Sequence, residues 1–348
     1  MKPYKILILL LLFCVPFKSE AQKLLWDIDF MGFFDNREFK APYQTPQTFF
    51  GTRLSPEIGV EIRDKHRLKF GLSWIAEFDA DKTSEVDWTV YYGYTDSRLT
   101  ALFGSFPRRL LAQELPPALM YDSILYFNPN INGALFRYTA RSGYAEMYID
   151  WRSRQGEQKR EIFTMATDGQ FSWKRGFAGW YATVNHFAKS KNSEGQNVID
   201  NIIGNPYLGV DLSRLTFMDS LTIRGGAIIS ANRNRGDGVW HTPVGFLGEL
   251  TAEWRFLGLK NVVYAGDNQL TFYDEFGAML HCGDPFYRAP FYDRLDFYVY
   301  FLRNRFVDCK ACVSLHFVDG KVQNQQQLLL RFKLDQDMFK WPKRKINQ

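Results

Sequence analysis

The chain has 348 residues, 46% hydrophobic, 17% aromatic and 23% charged, with a formal charge of +5. That apolar content excludes an intrinsically disordered chain, and a mean hydropathy of −0.29 argues against a bundle of membrane helices. The small net charge implies no polyelectrolyte partner, so nucleic acid is not expected, whereas 31 Phe, 18 Tyr and 9 Trp exceed what a soluble core needs.

Residues 1–21, MKPYKILILLLLFCVPFKSEA, set Lys2 and Lys5 before an apolar run from Ile6 to Phe17 and end on Ser19-Glu20-Ala21. This is the layout of a secretory signal peptide, too short to remain as a membrane anchor. Acylation at Cys14 is disfavoured by the bulky Phe13 before it. Sec-dependent export is therefore expected.

Beyond residue 22 no apolar run approaches the roughly 18 residues of a spanning helix. The chain alternates with period two instead. From His66 to Phe78, Leu68, Phe70, Leu72, Trp74, Ala76 and Phe78 share one face, and Arg67, Lys69, Gly71, Ser73 and Glu77 share the other. Tyr144 to Arg152, Phe246 to Arg255 and Gln327 to Leu334 repeat the pattern. Pro56 predicts that its strand begins only at Glu57. Asp168-Gly169 competes with Lys174-Arg175-Gly176 for one hairpin turn, and Asn261 to Phe276 alternates weakly.

Tight turns are expected at Arg63-Asp64-Lys65, Thr95 to Arg98, Arg141-Ser142-Gly143, Lys174-Arg175-Gly176 and Leu257-Gly258-Leu259. Longer polar loops are expected at 40–48, 80–85, 107–130, 153–159, 190–203, 233–243 and 268–292. Short turns on one side, long loops on the other and an even count are the signature of a transmembrane antiparallel up-and-down β-barrel. The all-β chain should have about 16 strands, with 14–18 compatible with the pattern. A soluble β-sandwich fits less well, because its strands run only about 5–6 residues. The expected domains are the signal peptide (1–21), the barrel (22–334) and a basic periplasmic tail (335–348).

In lipid the outer face must be apolar and the sheet closed. Trp26, Phe30, Phe34, Trp74, Trp88, Tyr92, Trp151, Trp254, Phe297 and Phe301 are the expected lipid-facing or girdle residues. Charges on the other face must point inward. The expected pore-lining set is Glu57, Glu61, Arg67, Lys69, Glu77, Glu146, Asp150, Arg152, Arg224, Glu249, Glu253, Arg255, Asp296, Arg331 and Lys333, together with Asp27, Asp29 and Lys310. Mixed rings of carboxylates and cations would favour small polar solutes; their pairing into a plug is the alternative.

Catalytic signatures are scarce. No GxSxG, HExxH, Walker loop or dinucleotide fingerprint occurs, and the five histidines show no metal-ligand spacing. His186 in TVNHFAKS, with Ser190 beside it, is the one pair that would suit a membrane-embedded lipid hydrolase. Cys309 and Cys312 form a CxxC in a strand, where odd spacing sends the thiols to opposite faces. Residues 232–238 do not make a calcium loop, since arginines occupy alternate positions. The aromatic stretch 283–292 would suit sugar or protein contacts, but fits better a loop packed on the barrel mouth. These readings imply a channel without enzyme activity, cofactor or metal. The alternatives are a lipid-modifying enzyme or a plugged barrel with a structural or adhesive role. Its partners would be outer-membrane lipids and small polar solutes, with a homo-oligomer compatible with this reading.

The long segment from Pro107 to Asn130, after the fifth candidate strand, contains Arg108, Arg109, Glu114, Pro116-Pro117 and Asp122. Here the chain resembles the general porins, whose third outer loop folds into the lumen as a constriction. The resemblance implies that Arg108, Arg109, Glu114 and Asp122 belong to a constriction loop, with Arg67, Arg152 or Arg331 as wall partners. It departs from porins at the C-terminus, where Phe332 is followed by a basic tail ending KWPKRKINQ. The segments WDIDFMGFFDNREF, ELPPALMYDS and GDPFYRAPFYDR are similar to outer-membrane barrels of Bacteroides-type bacteria, which implies a Gram-negative outer membrane but no solute.

Overall fold

Period-two alternation is realised as strands in chain order: β1 (Gln22–Glu38), β2 (Gln47–Ile62), β3 (His66–Glu77), β4 (Ser84–Thr95), β5 (Leu99–Pro107), β6 (Asn130–Ala140), β7 (Gly143–Ser153) and β8 (Ile162–Trp173). They continue as β9 (Gly176–Phe187), β10 (Ile199–Asp211), β11 (Ser220–Asn234), β12 (Val244–Trp254), β13 (Leu257–Gly266), β14 (Phe291–Arg303), β15 (Val307–Val318) and β16 (Lys321–Asp335). The computed structural model describes residues 22–79 and 84–336; the expected signal peptide and the tail beyond 336 lie outside the described residues.

Each strand pairs antiparallel with its neighbours, and β1 pairs with both β2 and β16, so sixteen strands close into a barrel. A two-residue bridge, Trp240–His241, adds to β11 ahead of β12. The chain enters at Gln22 and β16 ends at Asp335 on the short-turn side, which is the periplasmic side of such barrels. The β10–β11 connector is the long exception there, with a 3-10 turn at Ser213–Leu215. On the other side one connector is short, Asp319-Gly320.

Several local expectations are corrected. β2 begins at Gln47 and carries Pro56 in its interior; the proline still pairs with Ile28 of β1, while the ladder to β3 passes over residues 55 and 56 and resumes in the same register. Asp168-Gly169 lies inside β8, and the turn uses Lys174-Arg175. β10 begins at Ile199, so residues 199–203 are strand, not loop. Arg255 belongs to a hairpin turn with positive φ and lies over the ring of Trp254, so it does not line the lumen.

The ten expected lipid-facing aromatics all lie on outward positions of the alternation, and the exposed apolar side chains continue around the barrel, including Leu24, Phe70, Phe103 and Phe136. The core is the lumen itself. Two outer loops fold into it. The loop between β5 and β6 supplies Leu115, Ala118, Leu119 and Met120 and the short helix α1 (Asp122–Phe127). The loop between β13 and β14 supplies helix α2 (Tyr273–Leu280), Leu270, Phe286, Tyr287 and Ala289. The aromatic stretch 283–292 thus packs inward, with Phe286 and Tyr292 fully buried.

The loops bond to each other through backbone: Tyr121 N–H donates to Cys282 O at 2.7 Å, and Asp284 N–H to Pro117 O at 2.8 Å. Gly283 allows this approach, because a Cβ there would meet Ala118 O at 2.2 Å. Gly283→Val should therefore part the loops and cost about 1–3 kcal/mol. Denaturant unfolding, with faster protease cleavage within residues 108–129, would measure it; an unchanged midpoint and cleavage rate would show that the contact does not hold the plug.

Candidate functional site

Charges inside a closed sheet must be paired or solvated, and the inward faces show how. Arg108 at the root of the first plug loop reaches Asp150 of β7 at 2.7 Å. Arg109 binds Asp27 at 2.7 Å and Glu57 at 3.0 Å, and Lys69 joins both carboxylates. Asp122 accepts from Arg294 at 3.2 Å, and Arg294 also holds Asp296 at 2.7 Å. Glu114 lines a cavity below the plug. The four residues expected in a constriction loop thus enter the lumen, but the loop contributes arginines to wall acids as well as an acid to a wall arginine. That arginine is Arg294, not Arg67, Arg152 or Arg331.

Apart from Arg255, the remaining expected lumen residues also face inward. Arg67 binds Glu61 at 2.7 Å, Arg137 binds Glu146 at 2.6 Å, and Glu249 holds Arg224 at 2.8 Å and Lys260 at 3.1 Å. Arg152 donates to the carbonyls of Ala278 and Met279 in α2. Glu253 accepts from Tyr298 and Arg303, Arg331 lies 3.8 Å from Asp29, Lys333 lines the periplasmic vestibule and Glu77 faces in at the outer rim. Lys310 lines the cavity below the plug. Sequence reasoning missed Arg53, because Pro56 placed the start of the strand at Glu57, and missed Arg294, whose strand carries aspartates on both faces. It also missed a buried chain at the outer end: Tyr292 to His316 at 2.7 Å, His316 to Gln325 at 3.1 Å, and Gln325 to Asp35, which holds Arg37.

Two cavities flank the plug, about 490 Å³ on the periplasmic side and about 690 Å³ on the outer side. Arg108 and Met120 line both. Cys309 and Cys312 lie on opposite faces and are not joined. Among the described residues no cluster of metal-ligating side chains occurs.

A second constellation lies outside. In β9 the inward positions are Tyr181, Thr183, Asn185 and Phe187, all buried, so His186 points to the outer face. Its cross-strand partners form one row near the outer rim: Trp151 opposite Phe163, Phe163 opposite His186, His186 opposite Asp200, Asp200 opposite Arg233, and Arg233 opposite Trp240. The side chains touch in the same order. Trp151 and Phe163 stack at 5.3 Å, and Phe163 and His186 at 4.8 Å. His186 Nδ1 lies 3.7 Å from Asp200. Arg233 binds Asp200 at 2.9 Å and covers Trp240, while Arg235 grips both Asp200 oxygens at 2.8 Å. The nitrogen Nε of Arg233 is buried without a partner. Ser190 is not part of this group: its hydroxyl donates to Asn192 O and lies 3.2 Å from Gln196 Oε1 in the loop after β9.

The chain matches the model of one protein family along residues 17–341, described as Lipid A 3'-O-deacylase-type. The chain belongs to that family. This membership corrects the expectation of a barrel without enzyme activity, since the family is named for an enzyme. The fold is similar to Acinetobacter baumannii OccAB1, with a TM-score of 0.57 and 8% identity over 92% of this chain and 99% of that one. It is also similar to Pseudomonas aeruginosa OpdL, with 0.52 and 10% over 90% and 99%, and to a loop-deletion mutant of OmpT, an outer membrane protein of Vibrio cholerae, with 0.51 and 10% over 90% and 100%. At such identities the likeness shows the fold, a porin-type outer-membrane barrel. No match emerges among curated protein sequences.

Two outcomes test the lumen geometry. Arg294→Met would leave Asp122 and Asp296 buried without their cation and should cost about 3–5 kcal/mol, read by denaturant unfolding; a loss below about 1 kcal/mol would mean that water serves these acids. Asp284, in the loop before β14, is fully buried, and burial pushes its carboxyl up to about 7 despite the Phe286 N–H it accepts and the nearby Arg294. A folded value above the unfolded one gives stability that is full below the unfolded value and lost as pH rises through about 7. Residues 267–290 should resist protease better near pH 5 than near pH 8, and Asp284→Asn should flatten that difference.

Proposed function

We propose that this outer-membrane barrel hydrolyses acyl esters of lipid A-type lipids on its outer face, with His186 as general base. The observation that carries the reading is the outward row in which His186 lies between an aromatic pair and Asp200, with Arg233 and Arg235 beyond. The row sits near the outer rim, where the headgroups and ester bonds of an outer-leaflet lipid lie. Phe163 and Trp151 offer a ring surface to the acyl region. Arg233 and Arg235 retain donors for an anionic headgroup.

Asp200 facing Nδ1 favours the proton on that nitrogen and leaves Nε2 as the base. The separation of 3.7 Å exceeds a hydrogen bond, and catalytic contacts of this kind often tighten only with substrate present. With Ser190 engaged elsewhere, the nucleophile is water. His186 takes its proton, the oxygen attacks the ester carbonyl, the bond to the sugar oxygen breaks, and the imidazolium returns the proton to that oxygen. A fatty acid and a sugar hydroxyl result. Export of the chain by residues 1–21 belongs to the same reading.

Purified barrel incubated with lipid A in micelles should release one acyl chain, detected by mass spectrometry. His186→Gln should slow this by about 10²–10⁴ while heat-modifiable mobility stays unchanged. Intact acylation with demonstrably folded protein would refute the reading.

One observation favours a second reading, a gated channel for small polar solutes: Arg108 and Met120 line both the cavity on the periplasmic side and the cavity on the outer side. In planar bilayers the wild-type barrel should then conduct weakly and Met120→Gly several-fold more; equal silence from both would remove the channel.

A further inference from the structure

The cavity on the outer side of the plug lies between the first plug loop, the second plug loop and the inner wall of β6 to β9. Its volume of about 690 Å³ falls within the usual range of small-molecule sites, about 300–1,000 Å³. Two polar side chains in its lining have an atom with no hydrogen-bond partner: the Tyr148 hydroxyl and Asn130 Nδ2. Tyr148 is 3% exposed and Asn130 7%. Turning the Asn130 amide over does not remove the deficit, since the one side chain that reaches it is Ser73, at 3.4 Å from Oδ1. Buried polar groups are almost always satisfied, so two unsatisfied groups carried by residues that line one cavity mark a place where a ligand completes the bonding.

The chemistry of the lining narrows the ligand. A phenol and a carboxamide both donate and accept, as hydroxyl groups require, and Ser123, Asn128 and Asn132 add further neutral polar groups. The charged lining is cationic in balance, with Arg108, Arg152, Lys159 and Arg160 against Asp87 and Asp150. Arg108 is neutralised by Asp150 at 2.7 Å. Arg152 and Arg160 instead donate to backbone carbonyls, of Ala278 and Met279 and of Ala188 and Asn197, and Glu275 acts on Arg160 from beyond ion-pair distance. A ligand with several hydroxyls and one negative group answers both features.

We propose that this cavity binds small acidic sugars, monosaccharides bearing a carboxylate or a phosphate, from the external medium. The site faces the lumen, on the opposite side of the wall from His186, and does not depend on the outer-face reaction.

The test is calorimetric titration of the full-length barrel in detergent with four probes: glucuronate, glucose 6-phosphate, glucose and inorganic phosphate. Glucuronate or glucose 6-phosphate should bind at least tenfold more tightly than glucose and inorganic phosphate. Tyr148→Phe should weaken that binding about tenfold without lowering the melting temperature, because the hydroxyl bonds nothing in the free protein. Asn130→Leu should act likewise, and if that variant does not fold Tyr148→Phe decides alone. His186→Gln should leave binding unchanged, which keeps this test separate from that of the hydrolase. Inorganic phosphate binding as tightly as the sugars would reduce the cavity to an anion site and overturn the proposal. Absence of saturable heat with any probe, or binding indifferent to Tyr148→Phe, would overturn it as well.

Discussion

A closed sheet of sixteen strands encloses more space than the side chains of its own wall can fill, and filling it is the constraint on which this structure depends. The barrel meets it with two loops from the outer side that pack against each other at the height of Cys282 and Gly283. Their contact combines backbone hydrogen bonds with buried Leu, Phe and Tyr side chains. The result is a hydrophobic core inside a membrane barrel, where a general porin holds water. Cavities lie above and below that core.

Bringing arginines into such a core is costly unless each finds a carboxylate, because desolvation penalises both charges. The pairing is therefore divided between loop and wall. Arg108 and Arg109 reach acids on β7, β1 and β2, whereas Asp122 is held by a wall arginine on β14. This exchange in both directions ties the loop to opposite sides of the barrel.

The outer face obeys a different rule, since only interfacial heights tolerate polar groups there. His186, Asp200 and Arg233 lie within two residues of their strand ends and are flanked by tryptophans on both sides. An aromatic girdle is expected at that height in any barrel. What distinguishes this stretch is that a histidine, a carboxylate and two arginines share one run of side-chain contacts.

Much of the barrel was legible in the sequence. Leu68 to Phe78 against Arg67 to Glu77, and Met147 and Trp151 against Glu146 and Asp150, declare two faces because a strand has a side-chain period of two and each solvent selects its own residues. Count, closure and the inward direction of most charges follow from that alternation. Pro56 misled because a missing N–H is judged locally, whereas the neighbouring strand β1 carries the pairing past it. Which charges meet was not legible: Arg294 and Asp122 are 172 positions apart, and their contact exists only because a loop folds inward. The alignment of Trp151, Phe163, His186, Asp200, Arg233 and Trp240 was equally hidden. Alternation determines which face a residue takes; only the register of six neighbouring segments, set by turn lengths and closure, determines which residues stand side by side.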